Sequence, residues 1–399
     1  MGSLKNLDEY TLVAVDGTRW FGLKQRHQHL MEGLAKHFKR TLYVEHSATF
    51  LKVLSSRNFP ISDLWEYLLQ PKKIGEKLWL VKSPPGLPRR LGLERVNRHN
   101  HRIMARGIRR LLAPGEKVVL WVAGPTGADT IGLLDVSLIV YDCYDAFGTF
   151  AWEAPHVGYI NRLEGRLLAE SDIILTTSIG LKEKAGQDDP RVHLIRNACD
   201  FEHFAEYRDP PPDFRPVINL KALGKPLIGY MGDIAEWLDQ DLVKWLAKSR
   251  PNWNFVFFGS KKVDVSALAS LPNVHFPGRV PYDDLPYYIH HFGCLWIPFV
   301  LNDLTREVNP VKMYEYLATG IPVVSAAMPE VVRHEEVISI GRSKEDFLQK
   351  MEQVLHEDAP AIRLKRQDVA RANSWTDRIE KVVGIISDAL EIKDIRGID

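Results

Sequence analysis

The stretch "CLWIPFVLNDLTREVNPVKMYEYLATGIPVVSA", residues 294–326, sets two short apolar runs around a polar, turn-rich centre. CLWIP (294–298) and, apart from Ser325, IPVVSA (321–326) are apolar and of strand length, so they read as buried strands. Between them Asn309 is a suitable N-cap, Pro310 fits the first helical position, and Val311–Thr319 reads as a short helix stopped by Gly320 with Pro322 behind it. A strand, a helix and a second apolar strand call for a parallel sheet covered by helices on both faces. The helix begins directly after a strand and its loop, so the N–H groups of Val311 and Lys312 and the positive end of the helix dipole suit a phosphate. Lys312 opposes that dipole, and a polyanion nearby would compensate. Glu307 and Glu315 stand with seven residues between them. Carboxylates on either side of a phosphate could each accept hydrogen bonds from a vicinal diol, one on a ribose and one on a hexose. The same spacing also fits a capped surface helix with solvated charge.

Outward from this stretch the alternation repeats. TLVAVD (11–16), TLYVE (41–45), VVLWVA (118–123), SLIVYD (137–142) and DIILTT (172–177) read as strands. Residues 24–39, with Leu30, Leu34 and Phe38 inward, 94–112 and 156–170 read as helices. Near Asp209 the text changes to DPPPDFRP, whose prolines are excluded from element interiors, and an interdomain linker is expected. A second series follows: PLIGYM (226–231), a helix at 237–248, WNFVFFG (253–259), NVHF (273–276), a helix at 282–290, the opening stretch, and helices near 343–356 and 360–371. The chain closes with an amphipathic stripe of Ile379, Val382, Val383, Ile386 and Leu390. The expected organisation is an N-terminal α/β domain over 1–208, a second over 222–374, and a closing helix over 375–399. Open parallel sheets bind ligands beyond the carboxyl ends of their strands, where strand order reverses, and two such domains facing each other would form a cleft.

The chain's 399 residues exceed one comfortable core, and 45% hydrophobic with 26% charged residues is ordinary for a globular protein. A net charge of +1 carries no global polyanion signature, so no nucleic-acid partner is expected. Three scattered cysteines read as reduced thiols of a cytoplasmic protein. No apolar run approaches the ~18 residues of a spanning helix, and MGSLKNLDEY lacks the layout of a secretion signal. Charge is uneven locally: between Lys82 and Lys117 ten Lys/Arg stand against two acids, Glu94 and Glu116. That segment is either a solvated helical face or a patch for anionic lipid or a phosphorylated acceptor.

Other candidates keep two readings each. Gly232, after the first strand of the second half, is either a plain turn or a point of close backbone approach to a ligand. Asp142 and Asp145 end a buried strand, the address of an active-site carboxylate and also of a turn aspartate. Arg26 and His27 open the first helix and could contact an acceptor phosphate or the donor. His27 and His29 diverge on a helix and are not a metal pair.

Glu307 and Glu315, followed by EYLATGIPVVS (315–325), resemble the donor signature of GT-B glycosyltransferases, particularly glycosyltransferase family four. GYMGDIAEWLDQDLV (229–243), RPNWNFVFFG (250–259) and PGRVPYDDLPYYI (277–289) are similar to successive segments of that family's nucleotide-binding half. WFGLKQRHQHL (20–30) and LIVYDCYDAF (138–147) resemble acceptor halves of bacterial polysaccharide transferases, including those of teichuronic acid type. VKMYEY (311–316) resembles the donor loop of the xanthan-type glucuronosyltransferase, an inverting enzyme. Val308-Asn309 replaces the Gly/Phe-rich loop usual in family four, and the two resemblances imply opposite stereochemistry.

The resemblance implies a GT-B fold, two Rossmann-like domains facing across a cleft, with the closing helix returning to the first. It implies a hexosyl- or glucuronosyltransferase using a nucleotide sugar, UDP favoured, and a glycan or lipid-linked acceptor in cell-surface polysaccharide synthesis. Glu307 would contact the transferred sugar, Glu315 the ribose, and Lys312, Gly232 and the helix start the diphosphate. Arg279 and Tyr282 would lie in the loop that lines the base pocket, mostly through its backbone, and Asp145 would be the base. Neither a metal nor a cofactor beyond the donor is implied, and the place is the cytoplasm or the inner membrane face. A GT-B sugar-nucleotide epimerase and a non-catalytic nucleotide- or sugar-binding protein are the alternatives.

Overall fold

A computed structural model describes residues 6–22, 24–45, 71–83, 86–87, 94–150, 156–356 and 359–396, arranged around two sheets. The first holds β1 (Tyr10–Asp16), β2 (Arg40–Glu45), β3 (Lys72–Lys73), β4 (Leu78–Lys82), β5 (Lys117–Ala123), β6 (Leu138–Cys143), β7 (Ile173–Thr176) and β8 (Val192–Leu194). Their order is β3-β4-β2-β1-β5-β6-β7-β8, parallel throughout except for the β3–β4 edge pair. From β1 the chain builds one wing, then returns at β5 to build the other, so order reverses between β1 and β5. Every residue of β1 is buried, as expected of a central strand with helices on both faces.

The second sheet holds β9 (Leu227–Met231), β10 (Asn254–Phe258), β11 (Val274–Gly278), β12 (Cys294–Ile297), β13 (Val323–Ala326) and β14 (Ser339–Gly341). It is parallel throughout, in the order β11-β10-β9-β12-β13-β14, and reverses between β9 and β12. The expected strands are present within a residue or two. β3, β8 and β14, each of two or three residues, were not foreseen, and neither was β4, although residues 78–81 are an apolar run. The first helix is shorter than expected, Arg26–Leu34, yet the turn after it still buries Phe38.

The chain divides into two compact units, Met1–Arg196 with Arg378–Asp399, and Asn197–Asp377. The division therefore falls before the proline-rich stretch where the boundary was expected. Residues just past Arg196 are tied to the second unit: the Cys199 N–H donates to Asn373 O at 3.1 Å, and Phe201 and Phe204 are buried in that unit's core. The prolines form an exposed excursion of the second unit instead, with residues 206–213 all exposed.

The final helix, Trp375–Arg396, belongs to the first unit from Arg378 onward. Val382, Ile386 and Leu390 are buried, each worth about 1.5–3 kcal/mol against exposure. Ile379 lies so close to Gly33 of the first helix that a Cβ there would stand 2.0 Å from its Cδ1. Lys393 anchors the far end, its Nζ 2.8 Å from Asp172 Oδ1 and 3.1 Å from Ser137 O. Among the described residues no helix is long and apolar enough to cross a membrane.

Candidate active site

In the second unit the chain reverses between β9 and β12, and the segments that leave these two strands meet. β9 ends at Met231 and is followed by Gly232 at φ 136°, a conformation that favours glycine. β12 leads through Phe299 to a one-turn helix, Asp303–Arg306, closed by a reciprocal capping box between Asn302 and Thr305. Glu307 caps the end of that turn, half-buried, its N–H donating to Leu304 O at 3.2 Å. The helix Val311–Thr319 follows and stops at Gly320, whose φ of 73° is left-handed as a terminating glycine requires.

Asn309 is not the N-cap of this helix; Pro310 is, with no side-chain cap bond. The Asn309 side chain is buried and already occupied. Its Oδ1 accepts from Asn197 N at 2.9 Å, and its Nδ2 donates to Tyr314 OH and to Glu330 Oε2, both at 3.2 Å. Its carbonyl accepts from Asn197 Nδ2 at 2.6 Å. Asn309 thus pins the loop ahead of the helix and does not present its amide to a ligand.

Lys312 points back over β9 and the segment after β12, its ammonium 5.2 Å from the Tyr230 ring centroid and 4.7 Å from that of Phe299. A Cβ at Gly232 would stand 3.0 Å from Lys312 Cε, so glycine supplies both the backbone angle and the room. Glu315 lies one turn along the same helix. Neither Lys312 nor Glu315 makes a hydrogen bond or an ion pair with any described residue, although helix geometry makes them neighbours. Burial pushes the Lys312 ammonium down to about 8, against the pull of Glu315 and Asp233. Burial pushes the Glu315 carboxyl up to about 7, opposed by Lys312 and reinforced by Asp200. A half-buried cation and a half-buried carboxylate with no hydrogen bond or ion pair to a described residue, at a strand-order reversal, are the arrangement expected of a binding site.

Tyr282 joins this group. Its ring stacks on His203 at 4.5 Å and 5°, and burial, then the charges of Glu315 and Asp200, push its phenol up. Arg279, just past β11, is exposed and has no ion-pair partner among the described residues. Gly232 lies against Lys312, Glu315 follows one turn along the same helix, and Glu315 and Asp233 both act on the Lys312 charge, so the structure groups these residues. Asp239 and Asp241 have an Asp-x-Asp spacing, but Asp239 caps the helix Gln240–Ser249 by accepting from Leu242 N at 2.8 Å.

In the first unit a second polar group lies at the strand ends of β1 and β6. Arg26 is buried and grips Asp142 through Nε, at 3.1 Å to each carboxylate oxygen, and through Nη2 at 2.8 Å, while Nη1 donates to Ile195 O at 2.9 Å. Arg26 is therefore a structural ion pair and not a contact held out to an acceptor. His27 Nδ1 sits 2.8 Å from Asp16 Oδ2, with its ring edge-on to Tyr144 at 4.4 Å. Burial lowers the His27 pKa, but the charge and hydrogen bond of Asp16, aided by Asp142, outweigh it and the net shift is upward. Asp145 is half-buried in the turn after β6, where its carbonyl accepts from Phe147 N at 3.0 Å. Asp16 and Asp200 were not singled out from the sequence. Asp16 ends the first strand just ahead of the helix that carries His27, which is a readable signal, whereas Asp200 lies in a segment assigned to the first domain.

Residues 213–373 match the family described as Glycosyl transferases group 1. TuaH of Bacillus subtilis, named for a glycosyltransferase role in teichuronic acid biosynthesis, is 26% identical over 302 residues, 68% of this chain and 73% of its own. Among solved structures, the sucrose-phosphate synthase of Thermosynechococcus elongatus aligns with a TM-score of 0.68 at 12% identity, over 97% of this chain and 99% of that one. A trehalose-6-phosphate structure from E. coli, bound with UDP-2-fluoro glucose, gives 0.69 at 12% identity over 95% and 99%. HepE of Anabaena, in complex with UDP and glucose, gives 0.63 at 13% identity over 95% and 99%. At these identities the structural likeness speaks for the fold, which is α/β of GT-B type.

Proposed function

We propose that this GT-B glycosyltransferase, with its group 1 glycosyl transferases domain at residues 213–373, moves a sugar from a UDP-sugar to a glycan or lipid-linked acceptor in cell-surface polysaccharide synthesis. The observation that carries the donor site is the unpaired, desolvated Lys312–Glu315 pair beside Gly232. In the reaction the bond from the sugar's anomeric carbon to the diphosphate oxygen breaks. A bond to an acceptor hydroxyl oxygen forms, and the hydroxyl proton passes to a base.

Lys312, with the N–H groups of Val311 and its own backbone at the helix start, meets the charge that grows on the departing diphosphate. No metal is needed for that charge in this reading. Gly232 lets the diphosphate approach the backbone, Glu315 accepts from the ribose hydroxyls, and Tyr282 with Arg279 flanks the base. Glu307 contacts the transferred sugar, and Asp145 is the candidate proton acceptor for an inverting outcome, with His27 toward the acceptor.

UDP is favoured because HepE and the E. coli relative carry uridine nucleotides, and polysaccharide synthesis because of the role for which TuaH is named. The working place in this reading is the inner face of a membrane, with no nucleic-acid partner. A thermal-shift screen across UDP-, GDP-, ADP- and dTDP-sugars tests it. UDP-sugars should raise Tm most. A larger rise with another nucleotide overturns the base, and no rise with any of them overturns the donor site.

A further inference from the structure

The helix Glu94–Leu111 carries Arg95, Arg98, Arg102, Arg106, Arg109 and Arg110, and all six are exposed. At 3.6 residues per turn these positions fall within an arc of about 120° and extend over about 22 Å of helix. The opposite face buries Met104, Ala105 and Ile108 in the core of the first unit. We propose that this arginine face is the surface by which the protein docks on an anionic lipid bilayer. The proposal rests on the membrane part of the functional reading above and is independent of the donor chemistry.

What separates this row from an ordinary solvated face is its lack of partners. None of the six makes a hydrogen bond or an ion pair with any described residue. Several exposed arginines elsewhere are paired, Arg162 with Glu94, Arg306 with Asp303 at 3.3 Å, Arg342 with Glu335 at 3.0 Å, and Arg371 with Asp368 at 2.8 Å, and an unpaired one such as Arg279 does not belong to a row of six on one helical face. The helix has one acid, Glu94, and Arg162 occupies it. Like charges three and four residues apart repel, so the row costs the helix stability by itself and a surface of anions relieves it. Guanidinium groups bind phosphate oxygens in pairs, as lipid headgroups offer them. The whole chain, this helix included, has a net charge of only +1, so the rest of it does not draw polyanions in general. A duplex groove is a poorer match, because a helix half-embedded in its own core does not stand clear enough to enter one about 12 Å wide. A bilayer asks only for a flat row.

The test is vesicle sedimentation of the full chain with phosphatidylcholine alone and with phosphatidylcholine containing phosphatidylglycerol. The wild type should pellet only with the anionic vesicles and be released by salt. The variant Arg98→Ala/Arg102→Ala/Arg106→Ala should lose about a hundredfold in partition, about fivefold per charge. Its lysine counterpart should keep most of the binding, and both variants should hydrolyse a soluble UDP-sugar like wild type. Wild-type-like binding by the alanine variant, charge-independent pelleting, or tighter binding to duplex DNA than to vesicles at equal salt each overturns the proposal. Failure here with intact UDP-sugar hydrolysis leaves the donor site standing, whereas loss of UDP binding by wild type overturns the functional reading alone.

Discussion

Glu116 and Glu315 are carboxylates taken partly out of water at different ends of two similar sheets, and their acidities move in opposite directions. Glu116 precedes β5, at the N-terminal edge of the first sheet. Burial raises its pKa, but bonds from Thr11, from Ala113 N at 2.7 Å and from Arg40 at 2.8 and 3.1 Å hold it at about 2. Glu315 is at the C-terminal edge of the second sheet, receives no such bonds, and is pushed up to about 7. The same contrast separates Arg26, closed on Asp142, from Lys312, which lies over the rings of Tyr230 and Phe299 and makes no ion pair with a described residue. A charge whose partners are built into the fold is stabilised and inert. A charge desolvated without partners has binding energy in reserve for a ligand. The edge of the sheet matters, because strand carboxyl ends at a reversal leave a crevice that helices do not fill.

The largest expected effect breaks a closed pair. Asp142→Ala leaves the Arg26 guanidinium buried with one partner removed and should destabilise the protein by about 3–5 kcal/mol in urea titration. Glu315→Gln, which replaces a strained charge by a neutral isostere, should leave stability within about 1 kcal/mol. If the two variants cost the same, the distinction between closed and open charges fails.

A smaller effect concerns binding. Glu315→Ala should weaken UDP binding by about 1.5–3 kcal/mol in calorimetric titration, the loss of hydrogen bonds to a charged group. Lys312→Ala should weaken UDP much more than uridine, because the ammonium's target is phosphate. Equal losses for UDP and uridine would mark Lys312 as structural.

The smallest and sharpest effect is a pH profile. UDP affinity should climb as pH rises through about 7, where Glu315 ionises, and decline above about 8, where Lys312 loses its proton in the free protein. Lys312→Arg should remove the alkaline decline and keep the acid limb, since a guanidinium does not titrate there. A flat profile from pH 6 to 9 would show that neither group meets the ligand.

Much of this site was legible because its signals are local. The strand-like CLWIP, the helix from Val311, the glycine stop at Gly320 and the i, i+3 placement of Lys312 and Glu315 all follow from residues within one short window. The apolar stripe of the last helix was legible for the same reason, as a period of 3.6. Asn309 misled because its local fit as an N-cap was overridden by Asn197, 112 residues away in sequence. Arg26 misled likewise, since Asp142 lies 116 residues away. The amino-acid sequence by itself determined the longer apolar strands and amphipathic helices, the glycine stop at Gly320, and which charges stand on one helical face, because those depend on backbone geometry over a few residues. Only the tertiary structure decided which charges are neutralised, where one unit ends and the next begins, and that Lys312 and Glu315 stay unpaired. Those outcomes depend on strand order and on desolvation by distant segments, which no local periodicity encodes.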